Sequence, residues 1–346
     1  MRSYSSEWTE GYCIHYTSDS EIPIEAICWS EEKIDQEQMP SAEDIARFMD
    51  NPDHTTDYLV TEARELIKGC DDGPIWLSGL GSSVVSILSA MLDCAPSERG
   101  LRYISSSICA SKSLNQLALV WFAHFLWPFK VLNRYSVLLD SKTKWSQHCD
   151  LRQQVLLRQD YRCALTGFTQ LGHTKGRPLC NLQITRILQR SIMGSEKTDF
   201  LGTIAREMVK NYVDPTVDLD ADGLHNFITF QYDTSVYFNY FMFSLKATSN
   251  AGEYAVETYG EREWFFPFKD VIVFEVDTPP DPRYLRLHAC VADVLHQSGA
   301  GKVMNKILFC LYERTGAVRI ADIIDLQGML DTLALRYSLI TALKLP

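Results

Sequence analysis

The side chains of this chain that could do chemistry are few and unevenly placed. Asp214, Asp218, Asp220 and Asp222 lead into Gly223, and the run D-x-D-x-D-G copies the first half of a calcium-binding EF-hand loop. Such a loop needs a bidentate carboxylate at its twelfth position, and Thr229 stands there instead. The expectation is a solvated turn, with Asp218, Asp220, Asp222 and the neighbouring His225 as the candidates for an unidentified metal. Histidines able to act as a base are sparse: His173 is followed by His225, and no other precedes His288. The ten cysteines include no C-x-x-C pair. His148, Cys149, Cys163, His173 and Cys180 could gather around zinc, but their spacings match no finger or ribbon. The stretch Ile75 to Leu92 has a glycine turn like that of a dinucleotide site, yet Val84 occupies the place of its third small residue, so strand-to-helix packing is expected.

These residues need elements to hold them. Ser41 with Asp44 reads as a capping box ahead of a helix through Ile45 and Met49, and a second helix is expected from Thr56 to Lys68. Residues 111–133 carry apolar side chains at near-helical spacing, with His124 as a packed histidine and Pro128 bending or ending the run. A helix over LRQQVLLRQDYRC leads into the turn Ala164 to Gly167, then a strand over LQITRILQRSI, then a loop with Asn226 before ITFQYDTSVYFNYFMFSL. From Asp281 to Cys310 a helix pair is joined through Ser298 to Gly301, and a last helix is expected from Ile320 to Leu343.

The order of these blocks resembles the HNH endonuclease family, in the branch abundant in fungi. The opening block L-x-R-D-x-x-R-C-x-x-T-G is similar to Leu157, Arg158, Asp160, Arg162, Cys163, Thr166 and Gly167, and Pro280 to Ile307 is similar to the tail that follows the nuclease module. The resemblance covers about Leu114 to Ile307 and implies two strands followed by a helix, clasping one divalent metal. It implies a histidine base at the end of the first strand, an asparagine that braces the hairpin and a metal-holding histidine on the helix. In this sequence Arg186 stands at the base position, with Thr185 before it, where some relatives carry a ligand. Asn226 matches the bracing asparagine, Ser235 replaces the helix histidine and Asn239 replaces an aspartate. A guanidinium donates and does not accept protons, so Arg186 cannot serve as a base but could hold a phosphate or pair with an acid in place of the metal. Three replacements on a kept scaffold imply a folded unit that has lost conventional metal-dependent phosphodiester hydrolysis. His225 and His173 are the alternatives for an active endonuclease with a rearranged site. A third course is a scaffold reused for small-molecule chemistry or protein interaction, with Arg186, Asn226, Ser235 and Asn239 lining a pocket.

Charge bounds the partners. The net charge is -11, and residues 1–70 alone hold 16 acidic against 5 basic side chains. Residues 141–192 are basic: Lys142, Lys144, Arg152, Arg158, Arg162, Lys175, Arg177, Arg186 and Arg190 face only Asp150 and Asp160. That segment is where DNA or RNA would be held, and the acidic N-terminal part could mask it. Mean hydropathy is -0.11, and the apolar run from Ala118 to Trp127 is half the length of a membrane span. With no apolar leader in MRSYSSEWTE, a cytoplasmic or nuclear protein with reduced thiols is expected. The expected class is α+β, with an HNH-like ββα unit in a mainly helical surround. Its parts are an acidic N-terminal α/β region over 1–110, a helix and polar connector over 111–150, the HNH-like module over 151–250, and a C-terminal strand and helices over 251–346.

Overall fold

The computed structural model describes residues 40–70, 81–130, 145–173, 178–188, 208–213, 220, 222–260, 268–274 and 278–306. The helix expected at 320–343, the strand expected before the glycine turn, and Asp214 and Asp218 lie outside them. The class is α+β, helices with small separate sheets.

Local signals set the helix starts. Ser41 caps α1 (Ala42–Met49): its hydroxyl accepts from the Asp44 N–H at 3.1 Å, and the Asp44 carboxylate accepts from the Ser41 N–H at 3.2 Å. The Thr55 side chain caps α2 (Thr56–Lys68) by accepting from the Tyr58 N–H, and Ser83 caps α3 (Val84–Asp93) with the same pair of bonds as Ser41, through Ser86. Helix α4 spans Glu98–Ala110, and α5 (Leu114–Val120) continues into a π-helical turn over Trp121–Leu126. Of the two outcomes expected at Pro128, a bend or an end, the end does not occur. The chain stays helical through residue 130, because the wider turn accommodates a residue that has no N–H to donate and a ring that crowds the preceding carbonyls. Among the described residues, no helix is long and apolar enough to cross a membrane.

Helix α6 (Trp145–Arg158) stops earlier than its sequence suggested, since Asp160 and Tyr161 both take positive φ, 51° and 55°. Two short strands, β1 (Thr169–Gln170) and β2 (Leu179–Cys180), follow and pair in parallel. Strand β3 (Leu182–Arg186) then pairs antiparallel with β4 (Phe227–Gln231), with Thr185 opposite Ile228 and Arg186 opposite Phe227. Helix α7 (Tyr232–Asn239) begins at the residue after β4. A three-stranded antiparallel sheet, β5 (Phe243–Ala247), β6 (Glu253–Thr258) and β7 (Val271–Val273), packs through β5 on α8 (Pro282–Gln297). Asp281 caps α8 and Pro282 opens it, a residue whose missing N–H is not needed in a first turn. After α8 the chain turns at Gly299 (φ 73°), where a Cβ would stand 2.1 Å from the Gly81 carbonyl oxygen, and residues 300–306 are again helical.

One apolar core runs from Ala63 and Ile67 of α2 through Trp121 and Phe125 to Phe230, Phe238 and Leu295. The end of α7 is fastened into it by polar contacts. His288 Nε2 lies 3.1 Å from the Phe238 carbonyl and His296 Nε2 2.8 Å from that of Phe241, while Lys130 Nζ donates to Tyr240 O at 2.8 Å. A carbonyl only accepts, so both imidazoles donate from Nε2, and three side-chain donors meet the last carbonyls of the helix and the turn after it. The His288 ring is also stacked between Phe238 and Phe241, at 3.8 and 4.6 Å between ring centres.

Candidate functional site

The residues singled out by the resemblance meet where β3, β4 and α7 join. Arg186 ends β3, and its side chain is 4% exposed despite its charge. Nη2 donates to Asp222 Oδ1 at 3.2 Å, and the guanidinium lies over the Phe227 ring at 5.1 Å. The register explains the second contact, because Arg186 and Phe227 are directly opposed. Arg186 is thus paired with an acid. Asp222 is half exposed and sits in the turn before β4, its N–H bonded to Asp220 Oδ1 at 3.0 Å. A Cβ at Gly223 would meet Asp220 Oδ2 at 2.6 Å, so any larger residue there would displace the Asp220 side chain.

Asn226 is completely buried and braces the end of β3. Its Oδ1 accepts from the Leu188 N–H at 2.9 Å, its Nδ2 donates to the Leu188 carbonyl at 2.8 Å, and its own carbonyl accepts from the Ile187 N–H at 2.9 Å. An amide supplies on two separate atoms the acceptor and the donor that the N–H and carbonyl of Leu188 require, and a carboxylate, which only accepts, cannot do so.

Thr185 and Ser235 are in direct contact. The Thr185 hydroxyl donates to Ser235 Oγ at 2.7 Å, and both side chains are buried. One turn further along α7, on the same face, Asn239 is 4% exposed and its Oδ1 has no hydrogen-bond partner among the described residues.

The other candidates are engaged elsewhere. His225 is exposed and its Nδ1 donates to the Pro279 carbonyl at 2.8 Å. His173 stacks on Tyr161 at 3.8 Å. Thr229 cannot complete a calcium loop: it sits fully buried in the middle of β4, opposite Ile184, with its carbonyl accepting from the Ala164 N–H. Asp220 and Asp222 share one turn, and among the described residues no group of three or more His, Cys, Asp or Glu side chains could hold a metal ion. The residues on hand do not fit a tightly held divalent ion, since they offer two hydroxyls, an amide and a cation where carboxylates and imidazoles are wanted.

Two roles were not legible in the spacing. Arg158 ties α6 to this region: Nη1 donates to the carbonyls of Leu224 (2.9 Å) and Thr278 (3.1 Å), and Nη2 to that of Phe227. Burial of that guanidinium lowers its pKa to about 10. His288 and His296, eight residues apart on α8, hold the end of α7. Their separation, a little over two helical turns within an apolar pattern, was the available signal.

No family model, no curated protein and no solved structure matches this chain.

Proposed function

We propose that this chain is a relative of the HNH endonucleases that keeps their strand, strand and helix scaffold and does not hydrolyse phosphodiesters through a bound metal. The observation that carries this reading is the 2.7 Å hydrogen bond between Thr185 and Ser235. In the family arrangement both positions would face the ion. Two oxygens bound to one ion at about 2.1 Å stand roughly 3 Å or more apart, whereas these hydroxyls, 2.7 Å apart, are committed to each other and not arranged around an ion. Arg186 adds a positive charge where a cation would have to sit, and Asp222 neutralises it. Asn226 supports descent from the family, because its pair of hydrogen bonds to Leu188 matches the bracing role the resemblance assigns to it.

The role that remains is a non-hydrolytic binding scaffold. Retained affinity for DNA or RNA is part of this proposal, but three of the four described arginines of the basic segment have inward tasks, while Arg162, 43% exposed, is paired with Asp160 at the surface. Arg152 donates to the Leu182 carbonyl, Arg158 to three carbonyls, Arg162 pairs with Asp160 and Arg186 with Asp222. Nucleic-acid contact therefore rests on Arg162 and on Lys142, Lys144, Lys175, Arg177 and Arg190, the last five of which lie outside the residues whose side chains are described.

Nicking of supercoiled plasmid by the full chain with magnesium, manganese, nickel or zinc tests the reading. The expected result is no nicking above a protein-free control with any metal. Nicking that a chelator stops and that Ser235→Ala abolishes would overturn it.

A further inference from the structure

A cleft of about 330 Å³ opens where the end of α3, strands β5 and β6 and the first three turns of α8 meet. Its volume falls at the small end of the range typical of small-molecule sites. Helix α8 lines it with Pro282, Arg286, Ala289, Cys290 and Asp293, a spacing that keeps one helical face toward the cleft. Tyr284, His288, Val291 and Leu295 of the same helix are buried in the core. None of the lining residues belongs to β3, β4 or α7, so the cleft is separate from the Arg186 site.

The charges in the cleft are not equally engaged. Asp93 is held by Arg64 at 2.6 Å. Asp293 accepts from Lys246 at 3.0 Å and from the Tyr259 hydroxyl at 2.7 Å, and Lys246 also faces Glu257 at 3.5 Å. Arg286 is exposed and has neither a hydrogen bond nor an ion pair among the described residues; the Tyr254 hydroxyl has no hydrogen bond there either. Burial and the nearby Asp281 raise the Tyr254 pKa against the opposing pull of Arg286, so the phenol remains a donor at neutral pH.

The geometry points to a binding site for a small organic carboxylate, held by the Arg286 guanidinium with the Tyr254 hydroxyl, its apolar body against Leu245, Ala247 and Ala289. A planar guanidinium can meet both oxygens of a carboxylate, and a phenol can donate to either of them. A monoanion suits the cleft better than a phosphate monoester, because Asp93 and Asp293 also line it and would repel a second negative charge. The site stands whether or not the hairpin hydrolyses anything.

Fluorine NMR of the full chain titrated with trifluoroacetate and with 4-fluorobenzoate tests it, one probe being small and the other having an apolar body. The expected result is saturable binding of 4-fluorobenzoate, weakened about tenfold or more in Arg286→Gln (about 1.4 kcal/mol) and unchanged in Arg99→Gln, an exposed arginine outside the cleft. Tyr254→Phe is expected to weaken binding less than Arg286→Gln does. Arg286 is exposed, so its glutamine variant keeps the fold, which circular dichroism verifies. Failure of both probes to saturate, or equal affinity in Arg286→Gln, would overturn the site, and tighter binding of 4-fluorophenyl phosphate than of 4-fluorobenzoate would overturn its assignment to carboxylates.

Discussion

The hydroxyl of Thr185, at the next-to-last residue of β3, donates to the hydroxyl of Ser235 in the first turn of α7, 50 residues on in the chain. The bond is buried and ties the hairpin to the helix that follows it. Removing one partner leaves the other without its bond in a dry place. Thr185→Val is therefore expected to cost about 1 to 3 kcal/mol, and Ser235→Ala a similar amount. The double variant should cost less than the two together, because neither side then buries an unmet hydroxyl. A double-mutant cycle by urea unfolding reads this, and additive losses would show that the bond contributes nothing of its own.

Asn226 is the position least able to change. Asn226→Asp keeps one acceptor for the Leu188 N–H but sets a carboxylate oxygen against the Leu188 carbonyl, where Nδ2 now donates. Asn226→Ala leaves both the N–H and the carbonyl of Leu188 without these bonds. Each substitution is expected to lower stability by about 2 to 5 kcal/mol, as two buried hydrogen bonds are lost or reversed. Thermal unfolding checks it, and a change of only a degree or two would contradict the bracing role.

The ion pair between Arg186 and Asp222 is asymmetric, with a buried guanidinium and a half-exposed carboxylate. Water screens the acid, so Asp222→Asn is expected to cost at most about 1 kcal/mol. Arg186→Ala should cost clearly more, because packing over Phe227 is lost along with the charge. Equal losses in urea titrations of the two variants would mean that the pair acts only through its charges.

Acid should destabilise the fold through two histidines. Burial lowers the His124 pKa to about 4 and that of His288 to about 3, the latter against the opposing effect of its bond to Phe238. In the unfolded chain both return to about 6.5 and take up protons first. Their contribution is intact above pH 6.5 and is lost as the pH falls toward those folded values, by about 2 kcal/mol each at pH 5. His288→Gln, which keeps a donor for Phe238, should be less stable at pH 7 but lose less between pH 7 and pH 5. Parallel pH profiles for the variant and the parent chain would contradict this.

Local chemistry made part of the fold legible. The Ser41 and Asp44 capping box, the bounds of α2 and the start of α8 at Asp281 follow from short-range bonds that involve few residues. Strand β4 leading into a helix was an expectation that came from the family resemblance, and the chain does run from β4 straight into α7. Long-range partners were harder to see. Arg158 looked like one more surface cation in a basic segment, but its partners are backbone carbonyls 66 to 120 residues away, which carry no mark in the sequence. The pairing of Arg186 with an acid was among the open alternatives, and the fold supplies Asp222. The contact of Thr185 with Ser235 could not be read from either residue, because it depends on how closely the helix approaches the strand. Pro128 left a bend and an end both open for a related reason: its effect is set by the π-helical turn before it, and that turn depends on packing.

The most direct test is metal stoichiometry. Full-length protein equilibrated with manganese, freed of unbound ion and analysed for metal should hold far less than one equivalent, with Thr185→Val and Ser235→Ala no different. One equivalent per chain that disappears in Ser235→Ala would place an ion between β3 and α7 and contradict the account.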